Sequence, residues 1–258
     1  KNPYDNAGYM DIAPDDRGEN IRREICLTLE QMGIYPERSH HEQGPGQNEI
    51  DFRYSDPLTA ADNAMTFQTV VKTVAGCNGL IADFSPKPLA DKPGNGFHIN
   101  ISAKADDNSD YLHQIIAGIL AKVCDMTLFL NPLNCSYQRF GNDKAPQYIS
   151  WSSENRSQLI RIPAAVGKYR RAELRSPDPT ANSYLAFALM IYAGLYGIQN
   201  HLQLAEPTDI NLYKANADVL SKFKMLPSSL RDACESALNS DFIKQHIPNE
   251  ILEIYCHR

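Results

Sequence analysis

Three short segments of this chain alternate apolar and polar residues with a period of two, and they constrain its fold more than any other feature. They are NEIDFRY at 48–54, GFHINIS at 96–102 and RRAELRS at 170–176. Successive side chains of a β-strand point to opposite sides, so each segment has an apolar face and a polar face. The pattern predicts strands that turn their apolar faces, Ile50, Phe52 and Tyr54 in the first, toward a core.

Longer segments before, between and after these strands repeat apolar residues at helical spacing. In the first, Ile21, Ile25, Leu29 and Met32 recur every three or four residues, which is the spacing of an amphipathic helix. Ser109 is the expected N-cap of the third. Five helices are predicted in this way, at 18–33, 56–79, 109–131, 178–198 and 228–240.

The length and net charge of the chain limit the kinds of protein that it can be. The 258 residues, 43% of them hydrophobic, are enough for one sizeable core, although length alone allows two small domains. A net charge of −6 argues against a general nucleic-acid binder. The longest apolar stretch, from Ile115 to Leu130, is interrupted by Lys122 and Asp125, so we expect no membrane-spanning segment.

The cysteines show neither a C-x-x-C pair nor the spacing of a zinc site. Most lie in apolar, helix-like contexts, which favours reduced thiols in the core. Reduced thiols are typical of a reducing compartment, so we expect a cytoplasmic protein. The six are Cys26, Cys77, Cys124, Cys135, Cys234 and Cys256.

The polar faces of the predicted strands allow two interpretations. Alternation alone is typical of a sheet with one face in water. The composition favours a shared cavity instead, because His98, Asn100 and Ser102 follow a Gly-x-Gly and an Arg-x-Glu-x-Arg precedes a proline. Glycines beside a strand allow a ligand to approach the backbone closely.

Two carboxylates flank a forced turn in HHEQGPGQNEIDF. The Gly-Pro-Gly can fold the chain back so that Glu42 and Glu49 reach one cation. With His98 and Glu173 they form an oxygen-rich ligand set that favours Mg²⁺ or Mn²⁺ over zinc. We expect all four side chains to converge on one cavity.

A basic stretch supplies the second chemical signal. Between residues 156 and 175 there are six cations and one acid, Glu173. Each arginine alone is more typical of a basic surface, but guanidinium groups together suit phosphate oxygens. Metal ligands beside arginines are typical of phosphoryl transfer. The cations are Arg156, Arg161, Lys168, Arg170, Arg171 and Arg175.

Taken together, these motifs closely resemble the catalytic domain of the class I (bacterial-type) glutamine synthetases. The resemblance covers nearly the whole chain, through DNAGYMD, HHEQGPGQNEIDF, KPLADKPGNGFHINIS, NPLNCSYQRF, APQYISWSSENRSQLIRIP and RRAELRSPDPTANSYLAFA. It implies an α+β fold, with an antiparallel sheet curved around the active site and helices on its outer face. It also implies that residues 1–258 are one partial catalytic domain, without the family's small N-terminal domain and shortened at the C-terminus.

The resemblance implies a reaction and its partners as well. ATP phosphorylates the γ-carboxylate of glutamate, and ammonia then displaces phosphate, with two or more Mg²⁺ or Mn²⁺ ions at the site. It implies a ring-type homo-oligomer, a dodecamer for the intact protein, with each site at a subunit junction. We expect this 258-residue chain to be inactive alone, because the family supplies further metal-binding acids from an upstream strand.

Individual roles carry over by motif position. Glu42 and Glu49 would hold one metal, and His98 and Glu173 the second. Arg139 would bind the amino acid's α-carboxylate, with Gly94 and His98 on the substrate side. Three positions match the nucleotide's surroundings: Glu37, Tyr54 and Ser102. Tyr213 matches a site that some relatives adenylylate. The groups expected to hold ATP phosphates and the transferring phosphoryl are Arg156, Arg161, Arg171 and Arg175.

Several residues depart from the family pattern. Pro93 replaces an asparagine before the substrate-side glycine, and Asn100 replaces a histidine on the adenine side. Lys144 replaces the flap glutamate that recruits ammonium and accepts its proton, a role that a charged lysine cannot fill. Asp143 is the expected substitute. Lys144 leaves open a γ-glutamyl ligase for another amine, or a non-catalytic homologue that binds nucleotide or metal.

Overall fold

The chain divides into two units, Lys1–Phe84 with Pro88–Gly94, and Ser85–Lys87 with Asn95–Arg258. A computed structural model describes residues 2–103, 109–142, 144–164 and 170–257. Each unit has its own hydrophobic core. The mixture of helices and small sheets confirms the predicted α+β class.

The first unit packs two helices against a β-hairpin. Helix α1 spans Glu19–Gln31, α2 spans Pro57–Cys77, and the hairpin consists of β1 (Pro36–His41) and β2 (Asn48–Phe52). Helix α2 begins where predicted, because Asp56 accepts a hydrogen bond from the Thr59 N–H and a proline occupies the first position. The core of this unit consists of Ile25, Leu29, Ile34, Val70 and Val74.

The Gly-Pro-Gly turn folds the chain back as predicted. The Glu42 N–H donates to the carbonyl of Gln47 at 2.8 Å, and the Gln47 N–H donates to that of Gly44 at 2.9 Å. Gly46 has a φ of +64°, a conformation that costs glycine little. One detail of the prediction is wrong: Tyr54 is 77% exposed rather than on the core, because β2 ends at Phe52.

A buried ion pair ties α1 to the hairpin. Arg22 Nη2 lies 2.6 Å from Asp16 Oδ2, with the two side chains 7% and 1% exposed. The same guanidinium donates to Ser39 Oγ and Asn48 Oδ1. Burial opposes ionisation of Asp16, but hydrogen bonds from Arg22 and the Gly18 N–H outweigh it, so the pKa of Asp16 is lowered.

We predict that Asp16→Asn lowers the free energy of unfolding by about 2 kcal/mol at pH 7, because the amide keeps the shape but loses the charge-assisted hydrogen bonds. A carboxylate whose folded pKa is lowered stabilises above its unfolded pKa, near 3.9, and loses that effect as pH falls through the folded value. Urea unfolding from pH 3 to 8 measures this. Glu19→Gln, in an exposed pair with Arg23, is the matched control. A difference that stays constant down to pH 3 would contradict the account.

The second unit contains a four-stranded sheet in the order β3-β6-β5-β4. The predicted antiparallel pairing is found for β1–β2, β3–β6 and β5–β6, whereas β4 and β5 run parallel. The loop between β4 and β5 turns the chain back into the same direction, with Ser152 Oγ accepting from the N–H groups of Glu154 and Asn155. The strands are β3 (Ile99–Ile101), β4 (Trp151–Ser152), β5 (Ile160–Arg161) and β6 (Ala172–Leu174).

Among the described residues, the second unit also contains six α-helices. The two long ones, α3 (Leu112–Leu130) and α4 (Ser183–Gln199), cross at glycines. A Cβ added to Gly118 would lie 2.1 Å from the carbonyl oxygen of Ala193, and one added to Gly197 would lie 2.0 Å from that of Gln114. The helix backbones are therefore in direct contact. The shorter helices are α5 (Ala217–Leu220), α6 (Leu230–Leu238), α7 (Asp241–His246) and α8 (Asn249–Cys256).

Helix α3 corrects two expectations. Its 19 residues are long and apolar enough to cross a membrane, contrary to the prediction. However, 56% of its most apolar 18-residue stretch is buried inside the protein, as in a core helix. Lys122 and Asp125 do not interrupt it: Lys122 Nζ lies over the Tyr196 ring, and Asp125 accepts from Ser240 Oγ. Ser109 is not its N-cap, because the helix begins at Leu112, whose N–H donates to Asp110 Oδ1.

Cys234 and Cys256 form a disulfide with their Cα atoms 5.5 Å apart, so the prediction of reduced core thiols is wrong for this pair. Packing of α6 against α8 brings the two residues together. They are 22 residues apart in the sequence, and no sequence motif indicates that they pair. Cys26, Cys77, Cys124 and Cys135 are free thiols. The inference of a reducing compartment has no support from the bonded pair.

Candidate active site

The hairpin of the first unit gathers one imidazole and two carboxylates. His40 lies directly opposite Glu49 in the strand register, and Glu42 follows His40 by two residues. His40 Nε2 is 3.8 Å from Glu42 Oε1 and 3.7 Å from Glu49 Oε2. One donor atom from each residue lies within 4.8 Å of the others, which is a geometry that a single metal ion can span.

The electrostatics of the two carboxylates favour a bound cation. Burial, followed by the charge of Asp51 and the hydrogen bond and charge of Glu42, raises the pKa of Glu49 to about 8. His40 Nε2 is buried without a hydrogen-bond partner among the described residues. A buried imidazole nitrogen without such a partner beside two crowded carboxylates fits a divalent cation, so Glu42 and Glu49 suit the predicted metal role.

The second unit holds a buried carboxylate surrounded by positive groups. Glu173, in β6, is 6% exposed. Its Oε1 lies 2.8 Å from Arg175 Nη1 and 3.2 Å from His98 Nδ1, and its Oε2 lies 2.7 Å from Arg161 Nε. The strand register explains the arrangement, because Arg161 of β5 and Asn100 of β3 are the cross-strand neighbours of Glu173.

The neighbours of Glu173 and His98 determine the protonation states of these two side chains. Burial by itself would raise the pKa of Glu173, but the hydrogen bond from His98 and the Arg175 and Arg161 guanidinium groups hold that pKa far below its usual range. Burial, followed by the charge of Arg175, lowers the pKa of His98. Glu173 is therefore ionised and His98 neutral, with Nδ1–H donating to Glu173. Two guanidinium groups against one carboxylate leave one net positive charge.

The Glu173 carboxylate does not fit a metal ion as its neighbours are arranged. Both of its oxygens already contact charged or hydrogen-bonding side chains. A cation there would have to displace at least one guanidinium group, against strong like-charge repulsion. The second-metal role of His98 and Glu173 stays a prediction, as does the convergence of these residues with Glu42 and Glu49.

Arg139 is buried beside the same cluster. It is 3% exposed, and its guanidinium group donates to the carbonyl oxygens of Ser176 and Pro177 at 3.0 and 3.3 Å. Burial lowers the pKa of Arg139 to about 10, although Asp178 opposes the shift. Arg139 Nε lacks a hydrogen-bond partner in the part of the chain that the structure describes. A buried donor of this kind suits a carboxylate ligand.

The remaining predicted arginines surround the cluster at different depths. Arg171 Nε donates to Asn100 Oδ1 at 3.1 Å, and Arg175 Nη2 donates to the carbonyl of Lys144 at 3.4 Å. Arg156 is exposed on the loop between β4 and β5. Arg170 instead pairs with Asp110. The structure therefore brings Arg161 and Arg175 to Glu173 directly. Arg171 immediately precedes β6 and contacts Asn100 of the paired strand β3 instead.

For several other predicted site residues the structure shows only the exposure of the residue or a single contact. In the first unit Glu37 is exposed and 3.9 Å from Arg53, while the Gly94 carbonyl accepts from Gln47 Nε2 at 3.0 Å. In the second unit Ser102 is exposed. Asp143 and Lys168 lie outside the described residues. The nucleotide and substrate roles of these residues stay predictions.

Two histidines that were not identified from the sequence lie beside Glu42 and Glu49, the carboxylates predicted to bind a metal. His40 faces Glu42 and Glu49, a position that the H-x-E spacing and the hairpin register together could have revealed. His41 is fully buried, with Nε2 3.0 Å from Asp5 Oδ1 and Nδ1 2.6 Å from the Glu42 carbonyl. Asp5 also accepts from the Gly46 N–H, so the Asp5–His41 pair anchors both ends of the turn.

Comparisons with known proteins agree on one family. The family model described as "Glutamine synthetase, catalytic domain" matches residues 1–258. A glutamine synthetase of Staphylococcus aureus strain MW2 is 44% identical over 262 residues, covering 96% of this chain and 59% of the relative. One of Clostridium saccharobutylicum is 42% identical over 269 residues, covering 98% and 61%. The chain thus spans about three fifths of these relatives.

Solved structures are similar in fold. A GmaS/ADP complex aligns with a TM-score of 0.89 at 28% identity, over 100% of this chain and 63% of that chain. A cryo-EM structure of Plasmodium falciparum glutamine synthetase aligns with a TM-score of 0.85 at 23% identity, over 98% and 60%. At that lower identity the likeness shows the fold alone.

Proposed function

The chain belongs to the glutamine synthetase family, and from that membership we propose that the whole protein is an ATP-dependent ligase that joins ammonia to the γ-carboxylate of glutamate. A γ-carboxylate oxygen attacks the γ-phosphorus of ATP, and ADP leaves. Ammonia attacks the resulting acyl phosphate, phosphate departs with its bonding electrons, and the amine proton passes to a base. The intact protein is proposed to form a double-ring assembly of twelve subunits.

The cluster around Glu173 is the observation that carries the proposal. Arg161 and Arg175, together with the Glu173 carboxylate, carry one net positive charge next to the neutral imidazole of His98. Guanidinium groups bind phosphoryl oxygens in pairs and stay charged at working pH. Charge stabilisation and positioning are the main contributions that a protein makes to phosphoryl transfer.

Other residues take the roles that the family membership suggests. Arg156 and Arg171 would add positive charge at the phosphates, and the partly unsatisfied guanidinium group of Arg139 would hold the α-carboxylate of glutamate. The GmaS relative was solved with ADP, and we propose the same class of nucleotide here. Glu42 and Glu49 would hold Mg²⁺ or Mn²⁺, which when bound would offset negative charge on substrate oxygens.

The test is a product assay with the full-length protein. We expect ADP, phosphate and glutamine in equal amounts only when ATP, glutamate, ammonia and Mg²⁺ or Mn²⁺ are all present, at about 1–10³ per second. The 258-residue chain alone is expected to show little turnover. ATP hydrolysis that does not depend on glutamate, or an absence of amide product with every amine supplied, would contradict the proposal.

Lys144 supports a second candidate, a γ-glutamyl ligase that uses an amine other than ammonia. Its backbone has a φ of +69°, and its carbonyl accepts from Arg175, so the residue is held beside the guanidinium groups. A lysine cation at the flap position repels ammonium. Glutamate-dependent turnover with an organic amine but not with ammonia would support this candidate.

We predict that Lys144→Glu raises ammonia-dependent kcat/KM about tenfold, because a carboxylate attracts ammonium and accepts its proton. The KM for ATP should change less than twofold. Lys222→Glu, the same charge reversal at an exposed position, is the control for net charge. Equal effects of the two variants, or none from Lys144→Glu, would show that Lys144 does not occupy the ammonium site.

A further inference from the structure

We propose that His40 is a direct ligand of the cation held by Glu42 and Glu49, and that it makes this site prefer Mn²⁺ or Co²⁺ over Mg²⁺. The inference rests on the proposed function in assuming that the two carboxylates bind a metal. It adds a ligand and a selectivity that an all-carboxylate site would not have. Imidazole nitrogen favours transition metals, whereas Mg²⁺ prefers oxygen ligands and water.

The distances point to a shared cation rather than to a hydrogen bond. His40 Nε2 lies 3.8 and 3.7 Å from the two carboxylate oxygens, beyond the hydrogen-bonding range. Two atoms bound to one cation at about 2.1 Å each lie at most about 4.2 Å apart. Both separations therefore accommodate a metal between the nitrogen and each oxygen.

Burial makes the imidazole nitrogen costly to leave alone. The His40 side chain is 16% exposed, and its Nε2 has no hydrogen-bond partner within residues 2–103 and the other described ranges. A buried polar atom that has lost its water and gained no hydrogen-bond partner destabilises the fold. Coordination to a metal would remove that cost, and a bound cation would also relieve the repulsion between Glu42 and Glu49.

The fold holds the three donors in position. Cross-strand pairing puts His40 and Glu49 on the same face of the hairpin. The Tyr9 ring contacts the His40 ring edge-on, with centroids 5.6 Å apart. The next residue, His41, bonds to the Glu42 carbonyl and to Asp5, so the backbone that carries Glu42 is fixed. These contacts preorganise the site before metal arrives.

The experiment measures metal binding to the full-length protein without ATP, glutamate or ammonia. Mn²⁺ and Mg²⁺ affinities are determined by calorimetry, and pulsed EPR of bound Mn²⁺ detects coordinated imidazole nitrogen. We expect His40→Gln to lower Mn²⁺ affinity about 10–100-fold and to change Mg²⁺ affinity less than threefold. In a His98→Gln background, where His98 cannot supply a nitrogen ligand, it should also remove the nitrogen signal. His98→Gln should preserve the nitrogen signal of the hairpin site.

A second variant keeps the test decisive if His40→Gln perturbs folding. His40→Asp supplies a hard oxygen at the same position, so we expect the Mn²⁺/Mg²⁺ affinity ratio to fall at least tenfold while Mg²⁺ still binds. A nitrogen signal that persists when His40→Gln is combined with His98→Gln, or that disappears in His98→Gln alone, would overturn the proposal, as would equal losses of affinity for both metals in His40→Gln. Because no substrate is present, failure of the ligase proposal would leave these results unaffected.

Discussion

Replacing Glu173 with glutamine is expected to lower the free energy of unfolding of the second unit by about 3–5 kcal/mol, the usual cost of breaking a buried ion pair by removing one partner. Glu173 is the shared acceptor of Arg161 and Arg175. Without its charge, two guanidinium groups would face each other at a site from which Arg175, 2% exposed, cannot move to water. Glutamine keeps the shape, so the loss measures charge rather than packing.

Chemical denaturation of the parent and of Glu173→Gln measures this effect, with Glu235→Gln as the matched control. Glu235 pairs with Arg231 on the surface of α6, where the side chains are 59% and 86% exposed, so we expect a change below about 0.5 kcal/mol. Adding Arg161→Gln to Glu173→Gln should recover part of the loss, since it removes one of the two repelling charges. A Glu173→Gln variant as stable as the control would contradict the charge assignment.

The lowered pKa of Glu173 also predicts how the stability difference between the parent and Glu173→Gln changes with pH. The folded pKa of Glu173 is lowered, so its stabilising effect is fully present above the unfolded pKa, near 4.3, and is lost as pH falls below that value. The difference between the parent and Glu173→Gln should therefore be constant from about pH 6 to 8 and shrink below about pH 4. A difference that grows on acidification would have the wrong sign.

Gly118→Ala and Gly197→Ala are expected to destabilise the second unit by at least the upper end of the usual ~1–3 kcal/mol for overpacking. The added Cβ would lie 2.1 Å from Ala193 O or 2.0 Å from Gln114 O, and both obstacles are helix backbone that no rotamer change can move. Helices α3 and α4 would have to separate, which would open gaps in the apolar layer between them.

Gly76→Ala is the matched control, because the same substitution should have the opposite sign. Gly76 lies in α2, and a Cβ there would meet nothing within 4 Å. Alanine is a better helix former than glycine by about 0.5–1 kcal/mol, so this variant should be more stable than the parent. Thermal or urea unfolding of all three variants decides the point, and Gly118→Ala at parental stability would mean that the helices do not cross at these glycines.

Local sequence signals predicted most of the regular structure. The five predicted helices correspond to α1, α2, α3, α4 and α6, because apolar periodicity and capping residues act within one segment. The alternating segments around Ile99 and Leu174 also place those residues in the core, as expected. Helices α5 and α7 are only four and six residues long, too short to produce an apolar period in the sequence.

Features that depend on contacts between distant residues were not predictable in this way. The parallel pairing of β4 and β5, the Cys234–Cys256 disulfide and the glycine crossing of α3 with α4 all depend on tertiary packing. Helix α3 illustrates the limit: its charges looked like interruptions in one dimension, yet Asp125 has a hydrogen-bonding partner 115 residues away. No local pattern contains that information.

The candidate site shows the same division. Alternation in RRAELRS placed Glu173 and Arg175 on one strand face, and the structure brings them together. His40 was missed because its role depends on the register with Glu49 across the hairpin. The contacts of Glu173 with both Arg161 and Arg175 were not predicted either, because the choice of partner among several cations depends on burial and distance.

The most direct test of the central claim follows oxygen from glutamate. The full-length protein is supplied with ATP, its amine and glutamate labelled with ¹⁸O in the γ-carboxylate, and the products are analysed by mass spectrometry. If a γ-carboxylate oxygen attacks the γ-phosphorus of ATP, each phosphate released with amide carries one ¹⁸O, and ADP carries none. Unlabelled phosphate, or label in AMP, would contradict phosphorylation of glutamate at this site.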